Sequence, residues 1–362
     1  MMVHVVLLIY ISILGLFIYA KKPYRRSSNK KFILLSLLAV FLVQSLRSRY
    51  VGTDTIKYYN YVRYAKMGLP IHSMEFLFTL LVKTVAKLFG DPQFLLVISS
   101  FIVLTGVGLF IFLNIDSNKS AFWSVFFFIT ISQYFASMNT LRQCIAMAIG
   151  CNVFTLLQKE RSRRNYIFSG ILITISALFH LTGLLQILLF VPFMMKIDYK
   201  KIAAVFSTAF LALIFFPIIL RIFLRIFPAY SNYLGGYFDQ AASSKLYVMI
   251  GILEIVIMVL YCIYINPDVD SNQKGYRLLF ITLYSFTTIL LQQRMILAIR
   301  LGFYFELFLI LLIPEFFERF RSINTRLALK TTAYVLGWAY YLYSIIVHGA
   351  RGCVPYTFFW QV

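Results

Sequence analysis

The residues in this sequence best placed to do chemistry are arginines that stand where a charge is costly. N-T-L-R-Q at 139–143 interrupts an apolar stretch, 121–157, that is too long for a single membrane crossing. A polar turn is needed there in any case, and Asn139 meets that need. Arg142 does not follow from it. A guanidinium at the start of an apolar run calls for an anion, and its planar fork of donors suits phosphate. Gln143 adds an amide beside it. Q-Q-R-M-I-L-A-I-R-L-G-F-Y-F at 292–305 poses the same problem. Arg294 has the character of an interfacial arginine, whereas Arg300 and Tyr304 stand four apart on one helix face. An arginine inside a span needs a cavity or an anion.

Acids and bases are few. R-S-R-Y-V-G-T-D-T-I-K-Y-Y-N-Y-V at 47–62 contains Arg49, Asp54 and Tyr58. Gly52 offers a turn there, and Thr53 or Asp54 can cap the helix that follows. Tyr58, Tyr61 and Tyr64 then recur at helical spacing, as on a helix lying at an interface. Asp54 is either a cap beside an aromatic belt or a carboxylate in a sugar-binding cleft whose tyrosines stack on pyranose faces. Glu75 is a further candidate carboxylate. A-L-F-H at 177–180 sets His180 between two half-length apolar runs. It is either a hydrogen-bonded packing residue or a group that shuttles a proton. V-P-Y at 354–356 leads into Phe358, Phe359 and Trp360, by itself an interface anchor.

Other chemistry is excluded by what the sequence lacks. It contains no phosphate-binding Walker loop, no G-x-S-x-G, no zinc ligand set and no dinucleotide fingerprint. No acid-rich cluster calls for a divalent cation. Neither cofactor nor metal is expected. The four cysteines include no C-x-x-C pair, and Cys144 and Cys151, seven apart in one apolar run, read as packing residues rather than a disulfide.

The elements that must position these groups are set by composition. The 362 residues are 61% hydrophobic and only 13% charged, with a mean hydropathy of +0.82. Soluble domains carry about a quarter charged residues, and no soluble fold of this size hides so much apolar surface. The expected fold is an all-α, polytopic transmembrane bundle of about twelve crossings with re-entrant or half helices. A GT-C-like glycosyltransferase architecture is compatible with it. Residues 1–362 read as a single membrane domain, with outer loops at 47–74 (carrying the interfacial helix) and 221–246. The net charge of +21 lies mainly in short loops, including 21–31, 158–164 and Arg319–Lys330. That is the positive-inside pattern, so nucleic acid is set aside as a partner. The basic cluster Lys21, Lys22, Arg25, Arg26 follows the first apolar run, unlike a cleavable signal. The resulting threading puts both termini outside and gathers the unusual polar residues, Arg47, Arg221 and Arg225 among them, on the outer side.

The ordered segments resemble the EpsG family of bacterial polysaccharide-assembly proteins, grouped with Wzy-type polymerases. The similar pieces are R-Y-V-G-T-D-T-I-K-Y-Y-N-Y, M-E-F-L-F-T-L-L, N-T-L-R-Q, the A-L-F-H-L-T hairpin, R-L-G-F-Y-F and the terminal V-P-Y. The resemblance implies a glycosyltransferase of the bacterial cytoplasmic membrane. Its substrate would be an oligosaccharide on undecaprenyl pyrophosphate, the growing chain passing to a new lipid-linked unit at the outer leaflet. Its protein partners would be the flippase and chain-length regulator of the same pathway. Arg142 and Arg300, with Arg49 and Arg294 behind them, would neutralise the departing diphosphate, and Asp54, Glu75 and His180 are the candidate bases. Asn139, Gln143, Tyr58 and Tyr304 would complete the binding surface. A lipid-linked oligosaccharide flippase, an O-antigen ligase-like transferase and a non-catalytic scaffold are the rival readings.

Overall fold

The computed structural model describes residues 1–20, 25–71, 74–131, 133–226, 228, 231, 245–264, 273–292, 294–295 and 298–361. Among these residues every regular element is helical. The chain runs α1 (Met2–Ile18), α2 (Arg26–Ser45), α3 (Thr55–Lys66), α4 (Phe76–Leu88), α5 (Gln93–Asn114) and α6 (Phe122–Thr130). It continues through α7 (Gln133–Asn139), α8 (Leu141–Gly150), α9 (Asn152–Lys159) and α10 (Arg163–Phe179) to a 3-10 segment, Leu181–Phe190. Then come α11 (Val191–Met194), α12 (Tyr199–Ile214), α13 (Phe216–Ile226), α14 (Lys245–Tyr264) and α15 (Gln273–Leu291). The last three are α16 (Ala298–Glu306), α17 (Leu309–Phe317) and α18 (Ile323–Ile346).

Among the described residues three helical stretches are long and apolar enough to cross a membrane: Arg26–Ser45, Gln93–Asn114 and Leu141–Lys159. Helices α12 and α13, bent by 86° at their junction, make a fourth if counted as one. That is fewer, among the described residues, than the expected dozen, because some helices are short and others carry polar residues. α6, α16 and α17 have nine residues each, which at 1.5 Å per residue is about half of a ~30 Å hydrocarbon layer. α18 is long enough at 24 residues, but Asn324, Thr325, Arg326 and Lys330 dilute its first turns. Apolar side chains still face outward in number: Leu16 and Phe17 on α1, Phe101 on α5, and Val335 and Leu336 on α18 are all exposed. Surface of this kind needs lipid rather than water against it.

Two compact units result, residues 1–187 with 323–362, and residues 188–322. In the first, α10 packs on α4, α8 and α9, α5 packs on α2 and α8, and α3 lies on α4 and α5. In the second, α15 packs against α11, α12, α14, α16 and α17. Phe206 and Phe286 stack there at 5.2 Å, and buried Arg277 donates to the Pro192 carbonyl at 3.2 Å. Most of the expected outer loop 221–246 lies outside the described residues, as do Lys21 and Lys22. Its first residues, Arg221 and Arg225 included, belong to α13.

The C-terminal tail is an integral part of the first unit. Residues 349–352 turn with positive φ throughout, including Ala350 at 47° and Arg351 at 59°. A left-handed residue other than glycine costs about 1–2 kcal/mol. Backbone pairing offsets that cost. Gly52 N–H donates to the Gly352 carbonyl at 2.7 Å, and Thr53 N–H to that of Arg351 at 3.2 Å. Beyond the turn, Ser48 N–H donates to Thr357 and Phe359 N–H to Leu46, both at 2.9 Å. The Tyr356 hydroxyl donates to the Val43 carbonyl at 2.8 Å. The segment read from sequence as an interface anchor is therefore hydrogen-bonded to the loop that holds Asp54.

Candidate functional site

Three of the sequence-predicted residues meet at helix ends. Glu75 is the N-cap of α4, Arg142 lies in the first turn of α8, and His180 is the C-cap of α10. Because α10 packs on both α4 and α8, those ends reach one level. Arg142 Nη1 donates to Glu75 Oε2 at 2.7 Å. His180 Nδ1 lies 2.6 Å from Glu75 Oε1, and Leu181 N–H donates to the same oxygen at 3.1 Å. One carboxylate thus joins residues 67 and 105 positions away in the chain.

Local structure explains each placement. After Asn139 the backbone of Thr140 leaves helical geometry (φ −95°, ψ 60°), so α8 starts afresh and presents Arg142 in its first turn. At His180 the chain becomes extended (φ −157°, ψ 120°) and reverses. The reversal is held by Gly183 N–H donating to the His180 carbonyl at 2.7 Å and by Gln186 Nε2 donating to Ser176 Oγ at 2.8 Å. A side chain at Gly183 would place its Cβ 2.4 Å from Ser176 Oγ, so glycine is required there by close approach. The hairpin expected around His180 is present, with a 3-10 helix as its second arm.

The electrostatics assign roles. Burial alone would raise the Glu75 carboxyl, but the hydrogen bond from His180 and the charge of Arg142 outweigh it and hold the group at about 2. Glu75 is therefore an anion at any physiological pH and a poor base. A carboxylate only accepts hydrogen bonds, so His180 Nδ1 carries the hydrogen directed at it. In the neutral imidazole this leaves the Nε2 lone pair available, and Nε2 has no partner among the described residues. The three side chains are only 18–26% exposed, enough to reach a ligand and too little to be solvated like surface charges. Tyr58 is buried alongside. Burial pushes its phenol up, and the charge of Arg142 partly opposes this. The Arg142 guanidinium also lies 6.0 Å from the Phe78 ring centre.

Of the remaining candidates, Asp54, Asn139 and Arg49 make other contacts within the first unit. Asp54 occupies the N-cap of α3 without making a side-chain cap, and its carboxylate instead pairs with exposed Lys57 at 3.0 Å. Asn139 donates to the Phe135 carbonyl at 3.0 Å and accepts from Thr53 Oγ at 3.0 Å. It also donates to Cys353 Sγ at 3.4 Å, joining the Asp54 loop to the C-terminal tail. Gln143 is buried. Arg49 lines a small cavity with Ser48, Tyr59, Asp91, Gln93 and Phe359. Arg294, Arg300 and Tyr304 belong to the second unit, where Arg294 is exposed, Arg300 half-buried and Tyr304 fully buried. Cys144 and Cys151 are buried and free, as packing residues should be. Among the described residues no group of His, Cys, Asp and Glu could hold a metal ion.

Sequence reasoning passed over Asp91 and Gln93, and read Phe359 only as part of an interface anchor. The signal for the first two was D-P-Q directly before an apolar run, a helix start with proline at its head. The signal for the third was the aromatic run F-F-W at the end of the chain.

No curated protein and no solved structure matches this chain. The sequence profile of the EpsG family matches residues 30–358, nearly its whole length, and so takes in the Glu75–Arg142–His180 cluster, the Asp54 loop and the tail that closes on it. The chain belongs to the EpsG family of Wzy-type polysaccharide polymerases.

Proposed function

We propose that this protein polymerises a glycan by transferring the growing chain from undecaprenyl pyrophosphate to the non-reducing end of a lipid-linked repeat unit. The reaction takes place at the outer leaflet of the bacterial cytoplasmic membrane, in a bundle of about twelve crossings with both termini outside. The observation that carries this reading is the single carboxylate of Glu75 holding Arg142 on one oxygen and His180 on the other.

In the reaction the acceptor hydroxyl gives its proton to His180 Nε2 while its oxygen bonds to the anomeric carbon of the donor sugar. The bond from that carbon to the diphosphate oxygen breaks, and its electron pair leaves with the diphosphate. Arg142 keeps donors beyond the one spent on Glu75, and directs them at the charge that develops. Glu75 orients the imidazole through Nδ1 and supports the imidazolium that forms, the division of labour familiar from acid–base–nucleophile triads. Diphosphate is a good leaving group, so charge neutralisation matters more than protonation. Glycan, lipid bilayer and the chain-length regulator and flippase of the same pathway are the partners this places around it.

The test is reconstitution of the full chain in vesicles with a purified lipid-linked repeat unit, followed by gel analysis. Wild type yields a ladder, and Arg142→Ala and His180→Ala yield single units only. A wild-type ladder from either variant sinks the assignment, as does translocation of the unit across the vesicle without any polymer.

A further inference from the structure

Helix α3 has two working flanks. Tyr58 lies in the field of Arg142, while Tyr59, its neighbour, lines a cavity of about 220 Å³ with Ser48, Arg49, Asp91, Gln93 and Phe359. Successive helical residues point about 100° apart, so this cavity and the Glu75 cluster flank one helix.

The cavity is built from four parts of the chain and braced. Gln93 is 6% exposed. Its amide nitrogen donates to the carbonyls of Ser45 and of Arg47, and its oxygen accepts from the Tyr59 hydroxyl. Asp91 Oδ1 accepts from the Gln93 N–H at 2.9 Å. Ser48 Oγ shares a hydrogen bond with Thr357 Oγ at 2.7 Å. Phe359 is fixed by its backbone, yet the residue is 41% exposed. The Nε of Arg49 is buried and without a partner among the described residues.

We infer that this cavity is a carbohydrate subsite for a single sugar ring of the glycan, separate from the place where the diphosphate binds. An aromatic face beside planar polar side chains is the chemistry a pyranose needs. The C–H face of the ring packs on Phe359, and neighbouring hydroxyls donate to Asp91 and accept from Arg49. A carboxylate beside the guanidinium disfavours a diphosphate here, since its charge opposes a second anion. The volume lies below the roughly 300–1,000 Å³ of pockets for drug-sized ligands, which selects one ring rather than a chain. This subsite deepens the polymerase reading and rests on it for the identity of the glycan.

Two probes separate the two claims. The first is the delipidated repeat-unit oligosaccharide released from the host's own lipid-linked pool, and the second is inorganic pyrophosphate. Both are titrated against the full chain in nanodiscs. Phe359→Ala and Asp91→Asn are expected to weaken oligosaccharide binding about tenfold or more while leaving pyrophosphate binding as in wild type. Asp91→Asn keeps the side-chain oxygen that accepts from the Gln93 N–H, so the fold is spared. Absent oligosaccharide binding in wild type, or binding unchanged in both variants, overturns the subsite. If the variants behave as expected but Arg142→Ala leaves pyrophosphate binding intact, the subsite stands and the Arg142 assignment falls.

Discussion

Two arginine–histidine pairs in the first unit show how alike residues come to serve unlike ends. Arg47 and His4 form part of a buried seam. Arg47 is fully buried and donates to the carbonyls of Gln44 and Met138, the latter at 2.8 Å. His4 is equally buried and uses both ring nitrogens, one on the Tyr134 hydroxyl at 2.9 Å and one on the Cys353 carbonyl at 3.0 Å. Arg142 and His180 share one carboxylate, keep donor or acceptor capacity, and are part-exposed. A fully buried group bonded to several parts of the packed interior is a clamp. A group tethered on one side only is available for a ligand. The difference lies in what surrounds the side chain and not in its type.

The sharpest way to break that contrast is to truncate both arginines. Arg142→Ala should lower polymer yield on the order of 10²–10³, the cost of one charge-stabilising donor in a low-dielectric site, while membrane abundance stays near wild type. Arg47→Ala should do the reverse. It strips two buried carbonyls of their donor, about 1–3 kcal/mol each, and so lowers abundance and melting temperature before activity per molecule changes. Quantitative blotting beside the reconstituted gel assay reads both. Equal abundance for the two variants, with equal loss of polymer, would remove the distinction between clamp and site.

Glu75 sharpens the comparison by its pH signature. Its pKa is depressed from 4.5 to about 2 in the folded protein. The stability it contributes is therefore fully present above about 4.5 and is lost as pH falls toward 2, on the order of 3 kcal/mol in all. In Glu75→Gln that acid-side loss should flatten, because no carboxylate remains to be protonated. The seam around Arg47 and His4, which uses no carboxylate among the described residues, should be as stable at pH 3 in the variant as in wild type. Thermal unfolding in detergent between pH 2.5 and 6 measures this. Parallel curves for variant and wild type would show that Glu75 is not the group the other two depend on.

Much of the architecture was legible in the sequence because it follows from composition and periodicity. The long apolar runs became helices, the polar interruption at 139–143 became the break between α7 and α8, and the hairpin at His180 formed where the apolar run halves. What was not legible is pairing across distance. Arg142 announced that it needs an anion, but nothing local names Glu75, 67 positions earlier, as the group that holds it. Nor does spacing distinguish Arg47 from Arg142, since both interrupt apolar sequence beside a turn. Asp54 shows the converse error of local reading. It stands where a cap should stand, yet its carboxylate turns to Lys57 and leaves the helix N-terminus without its hydrogen bond. The role of the tail was hidden for the same reason, because V-P-Y and its aromatics look the same whether they face lipid or a loop some three hundred residues earlier in the chain.

The smallest expected effect concerns the link between seam and site. Thr53 Oγ donates to Asn139 Oδ1 at 3.0 Å, one residue from Asp54 on one side and three from Arg142 on the other. Thr53→Val keeps the shape and removes that one donor, which should cost about 1 kcal/mol of stability. Asn139 retains its bonds to Phe135 and Cys353, so the tail should stay in place and polymer length should barely change. Gly52→Ala acts on the same loop far more severely, because Gly52 sits at φ +99° and an added Cβ would lie 2.8 Å from Thr55 Oγ. If Thr53→Val instead abolished polymer while melting as wild type does, this loop would belong to the catalytic surface, and the site would extend from Arg142 through Asn139 into what is otherwise a clamp.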